Sequence, residues 1–437
     1  MIVSVINYYI LQFFLCLFKH LNGTLKSLFG FSLHSGYVND KNKAQNSFEH
    51  CAHRMKILWR GRMFPLMPPT NRTFLLVHKS YQHPRCVRDD DNISLMFIDE
   101  KRMLFCVSKQ NIYDSQLGPF VFSSQYENVE EVISVPIKFL HRLGDFLGEP
   151  KANIILLSNT GRCGSTILTQ MMEACPNTIS MSEADFMTDI DQLVIKSQEH
   201  ELPSELKDFG KVLNSAVKIQ CKDFKQRKVE NIILKPRSQS ILLAKTMNDA
   251  CPQVKHVYMW RSFMPFFKSI LSMGDSMPDF MFKFVVKPMF SDRLRYGILL
   301  EELKNPELQL KIENVLRKAG KFEIFALMSA LQFLSYLKQR RFVNFHVVKY
   351  DDLIANPESE FRQLANFCDL NIKNMEHNLQ AMQQDSQAKN EALSRKTLSK
   401  FKRSLKDEEV KSLRHIFSLM NVPQIDDFDK VFKLFTK

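Results

Sequence analysis

The sequence predicts an α/β protein: a three-layer parallel sheet with helices on both faces, of the type that seats a nucleotide on a phosphate-binding loop, with an additional strand-rich region at its N-terminal side. Three observations carry this. An unbroken apolar run, Ile154 to Leu157, leads into a loop of small residues and then into an apolar helical pattern from Ile167 to Met172. Further short apolar runs, Thr178 to Met181, Ile232 to Leu234, Val254 to Trp260 and the late Val343 to Val348, alternate with segments able to form helices. Between Gly61 and Gly148 the texture differs, with short runs broken by Pro and Asp clusters.

In chain order, Ile2 to Phe18 is mostly apolar, interrupted by Asn7 and Gln12 and followed by Lys19 and His20. Its length suits a membrane-spanning helix and no convincing small-residue cleavage site comes after it, so it reads either as a signal anchor or as a buried or interfacial amphipathic helix. An anchor implies membrane attachment through residues 2–18 and a Golgi or other secretory-membrane location, the alternative being cytoplasmic. Asn22-Gly23-Thr24, Asn71-Arg72-Thr73 and Asn92-Ile93-Ser94 would then be glycan acceptors. Val38 to His53 is polar and reads as a linker. Thr73 to Val77, Ile93 to Ile98 and Met103 to Val107 read as strands, and Val135 to Leu147 as a helix with Pro136 in its first turn and Gly144 as a weak point inside it. Longer helices are expected at Arg293 to Leu303, at Phe322 to Leu337 and through the basic C-terminal stretch Leu398 to Met420. The resulting division is 1–30, 31–148 and 149–437.

At 437 residues and 45% hydrophobic content the chain can bury the cores of two to three domains, which excludes global disorder. A formal charge of +13 concentrates anions of any kind near the surface. No zinc-finger spacing, Arg/Gly repeat or aromatic single-strand-binding pattern accompanies it, so no nucleic-acid partner is expected. The nine cysteines include no CxxC pair, which argues against a zinc site and against a dense disulfide framework.

The segment Ser158-Asn159-Thr160-Gly161-Arg162-Cys163-Gly164-Ser165-Thr166 takes its meaning from the strand before it and the helix after it. Gly161 and Gly164 let the backbone turn tightly, and the first-turn amides of the helix are then free to face phosphate oxygens. Ser165 and Thr166 add hydroxyl donors, and Arg162 a charged fork. An ATP or GTP phosphate loop would carry a lysine after its last glycine, where this chain has Ser165, and a glycine five residues before Gly164, where it has Asn159. A kinase is therefore a poor fit. Tyr258-Met259-Trp260-Arg261 ends another strand, and an arginine at the carboxyl end of a parallel strand faces the crevice where open sheets bind ligands. With Ser269 on the next helix, it describes a ligand carrying phosphate at two separated points.

These residues resemble the sulfotransferases that use 3′-phosphoadenosine 5′-phosphosulfate. Gly161-Arg162-Cys163-Gly164-Ser165-Thr166 looks like that family's 5′-phosphosulfate loop, particularly in its carbohydrate-directed branches. Trp260-Arg261 with Ser269 looks like its 3′-phosphate element. Lys349-Tyr350-Asp351-Asp352-Leu353, with Asn356-Pro357-Glu358 and Phe361-Arg362-Gln363-Leu364, looks like the late strand and helix that close its core. The likeness covers roughly residues 150 to 370 and makes 149–437 a sulfotransferase-like catalytic domain. Three departures stand out. Arg162 replaces the lysine of the cytosolic branch; Lys235-Pro236-Arg237 lacks that branch's catalytic histidine; and the late Arg-Lys-Gly element is missing its glycine, with Asp385-Ser386-Gln387 through Arg395-Lys396 in its place.

The resemblance implies an enzyme moving a sulfuryl group from this donor to a hydroxyl or amine, with a carbohydrate as the acceptor suggested by the loop's style and no metal required. It assigns the leaving group to Arg162, Ser165 and Thr166, and the 3′-phosphate to Arg261 and Ser269, with Arg395 as a late contact. Glu183 is the candidate base, with Asp185 in reserve; it reads equally as a first-turn glutamate beside the cap Ser182. Lys235 and Arg237 suit either donor or acceptor, or a solvated pair. The missing histidine keeps a second reading open, a nucleotide-binding or scaffold protein of the same fold without transfer activity.

Overall fold

The computed structural model of the chain describes residues 2–29, 46–63, 67–114, 117–288, 306–383, 395–401, 404–424 and 426–434. The helix expected at Arg293 to Leu303, the first half of the Val38 to His53 linker and the Asp385-Ser386-Gln387 stretch lie outside them. The strands are β1 (Ala52–Arg60), β2 (Phe74–Gln82), β3 (Ile93–Ile98), β4 (Arg102–Ser108), β5 (Val129–Pro136), β6 (Asn153–Asn159), β7 (Thr178–Ser182), β8 (Asn231–Lys235), β9 (Lys255–Trp260) and β10 (Phe345–Lys349). The helices that bear on the argument are α1 (Ile2–Phe29), α2 (Leu140–Leu147), α3 (Ser165–Glu173), α4 (Phe186–Lys196), α5 (Phe209–Gln220), α6 (Phe263–Asp275), α7 (Lys321–Gln339), α8 (Pro357–Phe367), α9 (Asp407–Leu419) and α10 (Phe428–Leu434). By internal contacts the chain divides into two compact units, Met1–Asn153 with Glu183–Ile232, and Ile154–Ser182 with Ile233–Lys437.

In the first unit β1 to β5 form a sheet in the order β2-β1-β5-β4-β3, antiparallel throughout. Two of its strands carry no obvious strand signature. β1 holds His53, Arg54 and Lys56 within Ala52–Arg60 and begins where the sequence reads as the end of the linker; its charges are tolerable because Glu131 on β5 accepts from both Arg54 and Lys79 of β2. β5 runs through Val135 and Pro136, which pair with Met103 and Arg102, so the helix starts at Leu140 instead of Val135. Proline donates no amide hydrogen and serves there as the end of a strand. Gly144 inside α2 has a packing reason: a Cβ there would lie 3.0 Å from the Cα of Ser215 on α5, so the glycine sets how closely the two helices cross. Beside it, His141 Nδ1 and Ser215 Oγ are 2.8 Å apart.

α1 corrects the reading of the N-terminus. Its polar interruptions are docking contacts: Asn7 Oδ1 accepts from Trp59 Nε1 at 2.8 Å, Asn7 Nδ2 donates to the Arg60 carbonyl at 3.1 Å, and Gln12 donates to the Arg72 carbonyl at 2.9 Å. Leu11 is fully buried between them, and Phe14 packs on Trp59 at 5.5 Å. No helix among the described residues is long and apolar enough to cross a membrane. The membrane anchor, and the Golgi or secretory-membrane location that depended on it, are therefore set aside in favour of a helix that packs on a sheet.

In the second unit the sheet order is β10-β9-β6-β8-β7, with β10, β9 and β6 parallel, so the class is α/β with one antiparallel and one partly parallel sheet. β9 shows why its run is apolar without interruption. Tyr258 and Trp260 enter a core with α6, α7, α9 and α10, while Val257 and Met259 enter another with α3 and α8. The first of these cores absorbs much of the chain's phenylalanine: Phe263, Phe266, Phe267, Phe333, Phe428 and Phe432 stack around Trp260 and Tyr336. The basic C-terminal stretch is not one helix. α9 starts at Asp407, where Glu409 accepts from the Lys406 amide at 3.0 Å.

Candidate functional site

β6 ends at Asn159, whose side chain shapes the adjoining loop. Its Oδ1 accepts from the Gly161 amide at 2.8 Å and its Nδ2 donates to the Pro236 carbonyl at 3.3 Å, tying the loop to the segment after β8. The chain then takes three left-handed positions, Gly161 (φ 71°), Arg162 (φ 47°) and Gly164 (φ 86°). Glycine occupies two of them without steric cost; at Arg162 the same conformation costs on the order of 1–2 kcal/mol. Gly164 is the N-cap of α3, offers no side-chain acceptor, and no acidic residue stands in the helix's first turn. No acidic side chain of the helix's own first turn therefore offsets the positive end of α3. Ser165 and Thr166 are buried at its start. The Cys163 side chain is buried: its Sγ donates to the Met259 carbonyl, and burial pushes the thiol's pKa up.

β6, β9 and β10 run parallel, and the residues just beyond them meet at one end of the sheet. Lys349 pairs with Trp260, which brings the next residues, Tyr350 and Arg261, side by side. The Arg261 guanidinium lies 4.6 Å from the centroid of the Tyr350 ring, and its Nε is buried with no hydrogen-bond partner. The same ring presses on Gly164, where a Cβ would come within 2.4 Å of Tyr350 Cδ2. From the loop, Arg162 Nε donates to Ser269 Oγ on α6 at 3.1 Å. Arg162 and Ser269 are therefore joined by their own hydrogen bond, while Gly164 and Arg261 meet at Tyr350, a residue that reads in the sequence only as part of a closing strand. Its signal is the parallel register that makes it the neighbour of Arg261. Next along the chain, Asp351 accepts from the Ser262 amide at 2.9 Å. Burial opposes ionisation of Asp351, but the Ser262 hydrogen bonds and the Lys349 and Arg261 charges outweigh it and hold its pKa below the usual carboxylate range.

The remaining candidates divide. Lys235 is buried at the end of β8, and Arg237 is half-buried two residues on. Ser238, the next residue, lies 3.6 Å from a Cβ placed on Gly161 and accepts from Gln332 at 2.8 Å. Glu183 directly succeeds β7 with φ 54° and Asp185 precedes α4; both group with the first compact unit. Arg395 opens a short helix, Arg395–Leu398, and its side chain lies outside the described residues. His256 and His346 stand near the starts of β9 and β10, at the end opposite the loop. Among the described residues no three His, Cys, Asp or Glu side chains gather as metal ligands would.

Residues 152–436, more than half of the chain, match the family model described as the sulfotransferase domain. The chain belongs to that family, whose general activity is sulfuryl transfer and whose fold implies an anionic nucleotide-type donor. Among solved structures, it is similar to the sulfotransferase domain from the curacin biosynthetic pathway, at 13% identity over 62% of this chain and 98% of that one, TM-score 0.31. A sulfotransferase from Alicyclobacillus acidocaldarius aligns at 13% identity over 62% of this chain and 93% of that one, TM-score 0.32. The sulfotransferase STF9 from Mycobacterium avium aligns at 10% identity over 64% of this chain and 79% of that one, TM-score 0.31. At such TM-scores the assignment rests on the family model. A comparison with curated proteins returns no match.

Proposed function

We propose that the chain transfers a sulfuryl group from 3′-phosphoadenosine 5′-phosphosulfate to a hydroxyl or amine, with a carbohydrate as the acceptor class to test first. In this reading residues 149–437 are the catalytic domain, of phosphate-loop nucleotide-binding type, and 31–148 form a strand-rich region with no assigned role. The observation that supports it is the convergence of Gly164 and Arg261 on the ring of Tyr350. The residues fit a nucleotide bearing two phosphate groups. An orphaned, buried guanidinium N–H is costly to leave unpaired, by about 1–3 kcal/mol, and an anion would relieve it. The start of α3, free of acidic side chains, favours a second anion.

The donor, when bound, supplies the sulfuryl group and a phosphate leaving group; everything else falls to positioning and charge. The amides of Gly164 to Thr166 with the Ser165 and Thr166 hydroxyls would hold the 5′ end, where negative charge grows as the bond to sulfur breaks. Arg261 and Ser269 would hold the 3′-phosphate and so select this donor over ATP. Lys235 adds a cation at the end of β8 toward the donor or the acceptor. Glu183 would take the acceptor's proton, with Asp185 the alternative.

Thermal stabilisation by adenosine 3′,5′-bisphosphate compared with ADP tests the donor class: preferential stabilisation by the first is expected, and equal or greater stabilisation by ADP would defeat the reading. A second reading, nucleotide binding without transfer, is favoured by the absence of a histidine in Lys235-Pro236-Arg237 and by the burial of Lys235. Turnover with any of a panel of sugar, phenol and tyrosyl acceptors would exclude it.

A further inference from the structure

The segment that follows β8 is fastened to the phosphate loop at two points. Asn159 accepts from the Gly161 amide and donates to the Pro236 carbonyl, so one side chain holds both the loop's first turn and the residue two before Ser238. Ser238 then lies along the loop itself: a Cβ placed on Gly161 would stand 3.6 Å from Ser238 Oγ and 3.7 Å from Ser238 Cβ. From behind, Gln332 of α7 donates through Nε2 to Ser238 Oγ at 2.8 Å. A hydroxyl that accepts in this way keeps its own proton to give, and among the described residues none accepts it. Gln332 supplies a second, independent sign. It is buried, and its Oε1 has no hydrogen-bond partner. A buried carbonyl left unpaired costs stability that an apolar side chain of similar shape would not. What the glutamine gains at that cost is at its other end, where it fixes the Ser238 hydroxyl beside the loop. The pair forms a short donor chain, Gln332 N–H to Ser238 O–H, in which the first bond polarises the second and the last proton faces an acceptor the protein does not provide.

We propose that Ser238 donates a hydrogen bond to the 5′-phosphate of the nucleotide at the rim of the loop, and that Gln332 is the positioning residue that orients its hydroxyl. The inference rests on the nucleotide reading above and deepens it, adding to the 5′ end a side chain carried by neither the loop nor α3. Placement decides which phosphate is met: Ser238 touches Gly161, the first left-handed position of the loop, so its partner is the anion that the loop and the start of α3 hold. A hydroxyl also suits a leaving phosphate. Its hydrogen bond strengthens as the acceptor gains charge, which favours the transition state of transfer over the bound donor.

The test is calorimetric titration of the full chain, of Ser238→Ala, of Gln332→Leu and of the double variant with adenosine 3′,5′-bisphosphate and with adenosine 3′-monophosphate, which lacks the 5′-phosphate. Ser238→Ala should weaken the bisphosphate by on the order of ten- to a hundred-fold, the usual worth of a hydrogen bond to a charged group, and leave the monophosphate within about two-fold. Gln332→Leu should weaken the bisphosphate by a smaller factor, and the double variant should bind it no worse than Ser238→Ala alone, since the glutamine acts through the hydroxyl. Without nucleotide, Gln332→Leu should melt at or above the unaltered chain, because leucine removes the unpaired carbonyl together with the amide. A lower melting temperature with both nucleotides bound as before would make the glutamine a structural residue and overturn its positioning role. Bisphosphate binding unchanged by Ser238→Ala, or both nucleotides weakened alike, would overturn the proposal and leave the nucleotide reading standing. If the unaltered chain shows no preference for the bisphosphate over the monophosphate, the loop holds no 5′ anion, and the nucleotide reading fails together with the proposal.

Discussion

Substituting Gly164 by alanine tests the site's architecture at a single atom. The new methyl group would stand 2.4 Å from Tyr350 Cδ2 and 2.5 Å from Cε2 at a φ of +86°. Carbon atoms sit comfortably at about 3.5–4.0 Å, so the ring must retreat by about an ångström or more. The left-handed backbone costs about 1–2 kcal/mol for any L side chain, and displacing the ring weakens the Arg261 contact, worth about 0.5–2 kcal/mol. A loss near 3 kcal/mol lowers the melting temperature by roughly 6–12 °C for a unit of this size. Melts of Gly164→Ala, Tyr350→Ala and the double variant separate the two contributions. In the Tyr350→Ala background the clash is gone, and the glycine substitution should cost only its backbone share, about 1–2 kcal/mol. An equal cost in both backgrounds would refute the idea that the ring rests on the loop.

Other parts of the molecule give three further expectations. His256 has no hydrogen-bond partner for either ring nitrogen, and burial lowers its pKa to about 4. The unfolded chain binds this proton at an ordinary value near 6.5, so the full contribution to stability is present above that pH and is lost as pH falls toward 4, by roughly 3 kcal/mol. Urea titrations of His256→Leu should show a flatter acid limb than the unaltered chain; parallel limbs would contradict the assignment. Glu183→Gln should reduce turnover at least a hundred-fold with nucleotide affinity nearly unchanged, by the usual contribution of a general base, and unaltered turnover would remove Glu183 as the base. Asn7→Leu should destabilise the docking of α1 by about 1–3 kcal/mol by stranding the Trp59 indole N–H, read as faster proteolysis within α1 and a shift in Trp59 emission.

The parts of the fold that are legible in the sequence are those where local pattern and burial agree. β6, the loop and α3 announce themselves because an apolar run on a doubly covered strand, two glycines and a helical repeat each point the same way. α7 is equally plain. β1 and β5 are not, because their charges are matched by partners on neighbouring strands, as Arg54 and Lys79 are by Glu131, and such pairing leaves no trace in either strand alone. α1 shows the converse: an apolar count that fits a bilayer is equally what a helix needs to cover a sheet, and Asn7 and Gln12, which interrupt the apolar run, are its attachment points. At the site, Arg162, Gly164, Arg261 and Ser269 can be named from spacing. Tyr350 requires knowing that β10 lies beside β9 in register.

The first compact unit is built from two separated lengths of chain, and this bears on how the protein can be cut. The stretch from Glu183 to Ile232 leaves the second unit between β7 and β8 and makes its contacts within the first: Asp189 holds the Ile98 amide at 2.9 Å, Asp91 accepts from the Lys225 and Gln226 amides at 2.7 and 2.8 Å, and the buried Lys222 ammonium caps the Asp90 carbonyl at 2.6 Å. A fragment beginning at residue 152 would carry that stretch without the strands and helix it rests on, exposing Val212, Leu213 and Ala216 of α5 to solvent together with an unsatisfied amine. The family's boundary in sequence is therefore not a seam in the folded molecule, and separating the two units requires excising an internal loop as well as trimming an end.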